Sequence, residues 1–177
     1  MQQIIISGLG GQGVLFVTRL LADAALDMGL SVLISETHGM AQRGGNVISH
    51  LKVAPGEGAQ PLASPLIRPG RADIFLGLHP EAMQVHGHYL APNGNSFTNS
   101  PDAGSGYSLD ATATACALQS PVSANLVLLG FATASGKFFC NPERVEAVIR
   151  TLGGKRLDRS LAAFRAGWEA FSASAAR

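Results

Sequence analysis

The chain has 177 residues, of which 46% are hydrophobic and 14% charged, and its 13 basic and 12 acidic side chains leave a net charge of +1. A chain of this length can bury a substantial core, so we predict a single domain over residues 1–177. The balanced charge argues against a nucleic-acid-binding protein, which needs a clustered basic surface, and no apolar run is long enough to span a membrane. So few charges are typical of a domain whose surface is partly covered by a partner.

The only cysteines are Cys116 and Cys140. Two cysteines cannot ligate an iron–sulfur cluster or form a four-cysteine zinc site. We expect both to be buried thiols in a reducing cytoplasm, since no signal-peptide pattern precedes the first predicted strand.

The N-terminal part predicts a strand, a glycine turn, a helix and a second strand. Residues 4–6 are a continuous isoleucine run, which is typical of a buried parallel strand. Apolar residues then recur at helical spacing over 14–28, and Gly29 ends the helix. Residues 31–36 predict the second strand, and this order of elements begins a doubly wound sheet.

The remaining chain continues to alternate strand and helix patterns. Residues 47–53 alternate between two faces and predict a strand that is covered on one face only. Further strands are predicted near 73–78, 96–98 and 107–109, and helices at 80–85, 111–118, 121–134, 142–152 and along the apolar stripe from Leu157 to Phe171. With a first strand near 3–7, the sequence predicts an α/β fold, a Rossmann-like three-layer domain with a mainly parallel sheet.

A glycine turn covers residues 8–13 and contains Gly8, Gly10, Gly11, Gln12 and Gly13. Its first, second and last glycines match the pattern G-x-G-x-x-G between a strand and a helix. Exposed N–H groups at a helix start can hold a phosphate or a carboxylate, so the pattern indicates a dinucleotide site. A close strand–helix turn that needs glycine only for packing would show the same pattern, and the spacing alone does not separate the two.

A second polar loop, residues 36–45, is called the rim loop below, and it contains Glu36, His38, Gln42, Arg43, Gly44 and Gly45. A cofactor loop usually needs one acidic residue for the ribose, and this loop carries several further polar groups. Such density favours an active-site rim or an interface, with a solvated loop as the alternative. The rim loop and the glycine turn both follow predicted strands, so we expect them to meet at one edge of the sheet.

Three segments of the chain, "GLGGQGV", "ETHGMAQRGGNVISHLKV" and "PGRADIFLGL", resemble the gamma-type domain of 2-oxoacid:ferredoxin oxidoreductases. The likeness continues in "SANLVLLG" and "PERVEAVI" and covers most of the chain. The "ETHGMAQRGG" segment is most similar to the small beta subunit of the indolepyruvate-type enzymes.

The resemblance implies a division of labour between subunits. Thiamine diphosphate, magnesium and the iron–sulfur clusters would belong to a large alpha subunit, and this chain would bind no cofactor and be inactive alone. The complex would oxidise a 2-oxoacid, indolepyruvate or another aryl pyruvate, to an acyl-CoA and reduce ferredoxin. The rim loop would act at the boundary with the large subunit, and the glycine turn would be a Rossmann-like turn beside that partner. A contact with CoA and a homodimer are left open.

A free-standing Rossmann-type oxidoreductase that binds NAD(P) or a flavin is the alternative function, although the sequence shows no obvious catalytic group or substrate domain for it. A metal site is not predicted. His79, His86 and His88 provide no third ligand at a fixed spacing, and we expect them to be surface or helix-end residues.

Overall fold

A computed structural model describes residues 1–38, 44–56, 64–102 and 106–175. The strands are β1 (Gln2–Leu9), β2 (Ser31–His38), β3 (Asn46–Ala54), β4 (Ala72–Gly77), β5 (Leu90–Asn99) and β6 (Tyr107–Leu109). The helices are α1 (Val14–Asp27), α2 (Ala82–His86), α3 (Ala111–Ala117), α4 (Ala124–Ala134), α5 (Pro142–Leu152) and α6 (Leu157–Ala175). Short 3₁₀ turns at Gly87–Tyr89 and Pro121–Ser123 precede β5 and α4.

The described strands form one sheet in the order β2-β3-β1-β4-β5-β6. β3 runs antiparallel to β1 and β2, and every other neighbouring pair is parallel. The predicted α/β fold with a mainly parallel sheet is therefore confirmed. We call the edge at which the parallel strands end the carboxyl edge.

The connection between β2 and β3 differs from the doubly wound pattern expected for it. The rim loop joins two antiparallel neighbours and does not lead into a helix. Only residues 39–45 separate the two strands, whereas a parallel connection needs a crossover of about a dozen residues or more. The short spacing therefore forces β3 to turn back between β2 and β1.

The two faces of the sheet are covered unequally. Alternate side chains of β1 point to opposite faces, so Ile4 and Ile6 join a large core packed against α1 and α3–α6, while Ile5 joins a smaller cluster. That smaller cluster includes Ile67 and Phe75 and is covered by the short helix α2 and by Tyr89. The helical layer on the first face thus supplies most of the burial that stabilises the sheet.

Three expectations for the strands need correction. β3 is covered on both faces, since Ser49 and His50 point to opposite sides and are each buried. β2 continues to His38, so Glu36 lies within the strand and not at its end. β5 has ten residues in place of a brief strand at 96–98, because its pairing with β4 jumps from Leu90 to Asn95 and the irregularity accommodates residues 91–94.

Part of the last helix and one of the two cysteines are buried in the core. Leu161 and Phe164 of α6 are buried in the large core, so this part of the last apolar stripe packs within the chain. Cys140 is buried, but Cys116 is exposed at the end of α3, so the expectation that both thiols are buried is wrong for Cys116. Within the described part of the chain, no helix is both long and apolar enough to cross a membrane.

Candidate functional site at the carboxyl edge

The glycine turn closes on itself directly after β1. The main-chain N–H of Gln12 donates to the carbonyl of Leu9 at 3.1 Å, and the side-chain Oε1 of Gln12 accepts the N–H of Leu9 at 2.7 Å. A Cβ added to Gly8 would lie 2.8 Å from Gln12 Oε1 and 3.1 Å from the Leu78 Cβ. The first glycine of the fingerprint therefore leaves room for Gln12 and Leu78, which a larger residue would displace.

The second glycine brings the turn against the rim loop. The N–H of Gly10 donates to the carbonyl of Gly45 at 2.9 Å, one step beyond the Leu9–Asn46 pair that ends the β1–β3 ladder. A Cβ on Gly10 would lie 3.4 Å from the Gly44 nitrogen. The predicted meeting of the two segments at one edge of the sheet is thus observed at their glycines.

The last glycine of the fingerprint allows α1 and α4 to begin side by side. Gly13 caps α1 with a φ of 81°, a left-handed conformation that favours glycine. A Cβ at this position would collide with the side-chain amide of Asn125, which is buried in the first turn of α4. Sequence reasoning did not single out Asn125, although it lies in the segment "SANLVLLG" that carried the resemblance.

The polar side chains of the rim loop are only partly defined. Glu36 is exposed and lies on the α1 side of β2, beside Arg19 and Ile34. The backbone of His38 ends β2, while Gln42 and Arg43 lie outside the described residues. The grouping of these four side chains around one ligand therefore stays a prediction.

Farther along the carboxyl edge, the buried side-chain amide of Asn99 links the ends of β4 and β5 to α3. Asn99 Nδ2 donates to the carbonyl of Leu78 at 3.2 Å and to Thr112 Oγ1 at 2.9 Å, and its Oδ1 accepts the N–H of Thr112 at 3.2 Å. Asp110 caps α3 by accepting the N–H of Ala113 at 2.8 Å. The ends of β4, β5 and β6 are thus fixed without any external ligand.

Two histidines form a polar cluster on the thinly covered face. His86 Nδ1 lies 2.7 Å from the hydroxyl of Ser7, and His50 Nδ1 accepts the N–H of Ile67 at 3.2 Å. Burial, together with the positive charges of His86 and Lys52, lowers the pKa of His50 below its ordinary value. Burial and the neighbouring His88 lower the pKa of His86 in the same direction.

The cluster has a structural role in the described chain. The ring of His50 packs edge-on against Tyr89 with 5.1 Å between ring centres, and His88 lies 4.3 Å from the same ring. No group of three or more His, Cys, Asp or Glu residues is placed to hold a metal ion within the described ranges. Because the His50 Nδ1 accepts a backbone N–H, its proton must sit on Nε2, and a second proton on Nδ1 would break that contact.

Two other groups with altered pKa values, Glu146 and Cys140, lie away from the carboxyl edge. Arg165, together with Arg150, holds the pKa of the Glu146 carboxyl at about 2, and these contacts tie α5 to α6. Burial raises the pKa of the Cys140 thiol to about 12, which keeps this thiol protonated and unreactive.

A family model described as pyruvate ferredoxin/flavodoxin oxidoreductase matches residues 3–170. The chain belongs to this family. The resemblance stated from the sequence is therefore confirmed at the family level, and the match spans nearly all the elements described above.

Curated relatives agree with this assignment. The chain is 29% identical over 195 residues to "indolepyruvate oxidoreductase subunit IorB" of Thermococcus kodakarensis, with 94% of each chain covered. It is 39% identical over 90 residues to the protein of the same name from Archaeoglobus fulgidus, a match that spans 51% of this chain and 42% of that protein.

Solved structures share the fold. The gamma subunit of a keto/oxoacid ferredoxin oxidoreductase from Geobacter sulfurreducens superposes with a TM-score of 0.77 at 22% identity, covering 98% of this chain and 99% of that one. A 2-oxoglutarate:ferredoxin oxidoreductase from Magnetococcus marinus gives a TM-score of 0.80 at 21% identity, covering 97% of this chain but 31% of that one. In these structures the fold therefore occurs both as a separate chain and as part of a longer one.

The lowered histidine pKa values predict a loss of stability in acid. The unfolded chain takes up protons at histidine near pH 6.5, whereas folded His50 and His86 resist protonation until lower pH, so the free energy of unfolding falls as the pH drops below about 6.5. In His50→Asn, Oδ1 can still accept the Ile67 N–H but cannot titrate. We expect a smaller loss of stability between about pH 7.5 and pH 5 than in the parent, measured by urea unfolding at each pH.

The matched control for this experiment is His79→Asn. His79 Nδ1 accepts the N–H of Glu81 at 3.2 Å, so the same substitution preserves a comparable hydrogen bond at a different place in the fold. An acid-induced loss in His50→Asn as large as in the parent would show that His50 does not cause it.

Proposed function

We propose that this chain is the small subunit of a 2-oxoacid:ferredoxin oxidoreductase, with indolepyruvate or another aryl pyruvate as the substrate. The observation that carries the proposal is the end-to-end match with a relative named as an indolepyruvate oxidoreductase subunit, which covers 94% of both chains. In this proposal the chain completes the active site of a large subunit, works in the cytoplasm as one domain and contacts ferredoxin only through the complex.

The few metal-ligating side chains of this chain support the proposal that the partner subunit binds the cofactors. Thiamine diphosphate and iron–sulfur clusters supply the decarboxylation and electron-transfer chemistry in the proposed complex. This chain has two cysteines, one buried with a raised pKa and one exposed, which is too few for a cluster. Among the described residues, no cluster of three or more His, Cys, Asp or Glu side chains is placed to hold a cation such as the magnesium that accompanies thiamine diphosphate.

The geometry of the glycine turn favours this proposal over a free-standing nucleotide-binding enzyme. In a dinucleotide site, the second fingerprint glycine lets the backbone approach the pyrophosphate, while the first and third serve the tight turn and the helix packing. Here the N–H of Gly10, the second glycine, donates to the carbonyl of Gly45. A backbone donor that is already used within the chain is the expected arrangement for a packing turn.

Reconstitution with the thiamine-binding large subunit tests the function directly. We expect neither polypeptide alone to oxidise indolepyruvate, and the mixed complex to reduce ferredoxin in the presence of CoA. The chain alone should show no thermal shift with NAD, NADP or FAD, although a ligand at 100 times its Kd would stabilise it by about 2.7 kcal/mol. Substrate-dependent dye reduction by the isolated chain, or a stoichiometric flavin on it, would contradict the proposal.

Within this function we propose that the rim loop contacts the large subunit or its substrate through Arg43. A guanidinium offers a planar fork that suits a carboxylate or a phosphate, and CoA or a substrate carboxylate would provide one. The glycines after Arg43 support a sharp turn there, since Gly44 has a φ of 76° and Gly45 accepts the hydrogen bond from Gly10. Glu36, His38 and Gln42 complete this proposed contact surface.

Arg43 variants in the reconstituted complex test the contact. Arg43→Ala and Arg43→Lys should both lower kcat/KM by about tenfold or more, because a lysine cannot replace a bidentate contact, corresponding to about 1.4 kcal/mol. Arg159→Ala, an exposed position in the first turn of α6, serves as the control and should leave the rate unchanged. Parental assembly and turnover of Arg43→Ala would show that the rim loop is only a solvated loop.

A further inference from the structure

β2 forms one border of the sheet, and no strand of the described residues pairs with its outer edge. It has eight residues and pairs with β3 alone among the described strands. An edge strand leaves every second backbone N–H and C=O without a partner from the sheet. Soluble proteins usually protect such an edge with charged residues, proline or a bulge. β2 contains no lysine, arginine or proline and pairs with β3 in unbroken register, and Glu36 is its one acidic residue.

An apolar groove lies along this edge, on the side that faces the helices. Its first part has a volume of about 350 Å³ and lies between α1 and β2. The apolar residues that line it are Ala22, Leu26, Val32 and Ile34. A second part of about 200 Å³ shares Leu26 and continues to Val148 and Leu152 of α5. We call both parts together the edge groove.

The apolar side chains of the edge groove are unusually accessible. Leu26 is 58% exposed, Ile34 40% and Leu152 42%. Leu26 and Ile34 line the part beside the edge strand β2, and Leu152 lines the adjoining part between α1 and α5. Single exposed apolar residues need no explanation, but three that border adjoining pockets are typical of an interaction surface.

The charges around the edge groove select the kind of partner. The groove is bordered by the carboxylates of Asp23, Asp27 and Glu36 and by one guanidinium, that of Arg19. Arg19 lies 3.6 Å from Asp23, and the other two carboxylates form no salt bridge with any residue that the structure describes. In a two-fold pairing of β2 with a second copy, these acidic groups would face an equally acidic groove, and this disfavours a homodimer at this edge.

We propose that the edge groove and the outer edge of β2 receive an extended segment of the large subunit as a seventh strand of the sheet. This proposal rests on the proposed function and names the surface through which the subunits join. Apolar side chains at alternate positions of the segment would enter the groove beside Leu26 and Ile34, and flanking Lys or Arg residues would face Asp27 and Glu36. β2 leads directly into the rim loop, so this surface is continuous with the boundary proposed there.

Hydrogen–deuterium exchange of the reconstituted complex tests strand addition. Alternate amides of β2, those that face outward in the free chain, should gain at least about tenfold protection when the large subunit binds. An assembled and active complex in which these amides exchange as in the free chain would overturn this proposal and leave the proposed function intact. Failure of the two subunits to assemble would overturn the proposed function, and this inference with it.

Two substitutions separate the apolar and the charged contributions. Leu26→Lys removes apolar surface at an exposed helical position, and Asp27→Lys reverses a charge at the end of α1, where a cation suits the helix dipole and folding should not suffer. Each should weaken assembly by about tenfold or more, measured as the Kd between the subunits. Val85→Lys on α2, where Val85 is 38% exposed, is the matched control and should bind as the parent does.

The remaining outcomes count against the proposal. Parental Kd values for both variants would show that the edge groove is not part of the interface. Concentration-dependent protection of β2 in the chain alone, accompanied by dimer formation in light scattering, would assign the edge to a second copy and overturn the proposal.

Discussion

The close approach of two backbones at the carboxyl edge determines much of this structure. The N–H of Gly10 bonds to the carbonyl of Gly45, and a Cβ at position 10 would lie in van der Waals contact with the nitrogen of Gly44. This contact extends the β1–β3 ladder by one step and fixes where the rim loop enters β3. Because α1 starts four residues after Gly10, the same contact also sets the position of its first turn, against which Asn125 places α4.

The glycine pattern illustrates what spacing can and cannot reveal. The sequence correctly indicated a tight strand–helix turn, since a strand, glycines and a helix in that order allow little else. It could not decide between a phosphate site and a packing turn, because both need the same residue type. The structural argument depends on three residues that contact the turn. Gln12 belongs to the turn itself, Gly45 belongs to the rim loop, and Asn125 belongs to a helix more than a hundred residues away.

The strand directions show a similar limit. The alternation in residues 47–53 identified β3, but a period of two is the same for either direction of the chain. The information lay in the short connection 39–45, which is too short for a parallel crossover. The length of β5 was underestimated for a different reason, since Pro92, Asn93 and Gly94 argue against a strand and are tolerated only through the shift in its register.

The sequence predicted the position of the candidate site better than the contacts of its individual side chains. The meeting of the glycine turn and the rim loop follows from chain order, since both lie at strand ends on one edge. The roles of Gln42 and Arg43 depend on side chains outside the described residues and on a partner surface that no single chain contains. The edge groove was not predicted, because its lining comes from α1, β2 and α5 and none of these segments is exceptional in sequence.

The central claim is that the carboxyl edge faces the cofactor-bearing subunit. Site-specific photo-cross-linking tests it most directly, with a benzoylphenylalanine in place of Leu15, an exposed residue in the first turn of α1, or in place of Lys137, an exposed residue next to Gln2 at the opposite edge. The account predicts a cross-link from position 15 to the thiamine-binding domain of the large subunit and none from position 137. A cross-link from position 137 alone would contradict it.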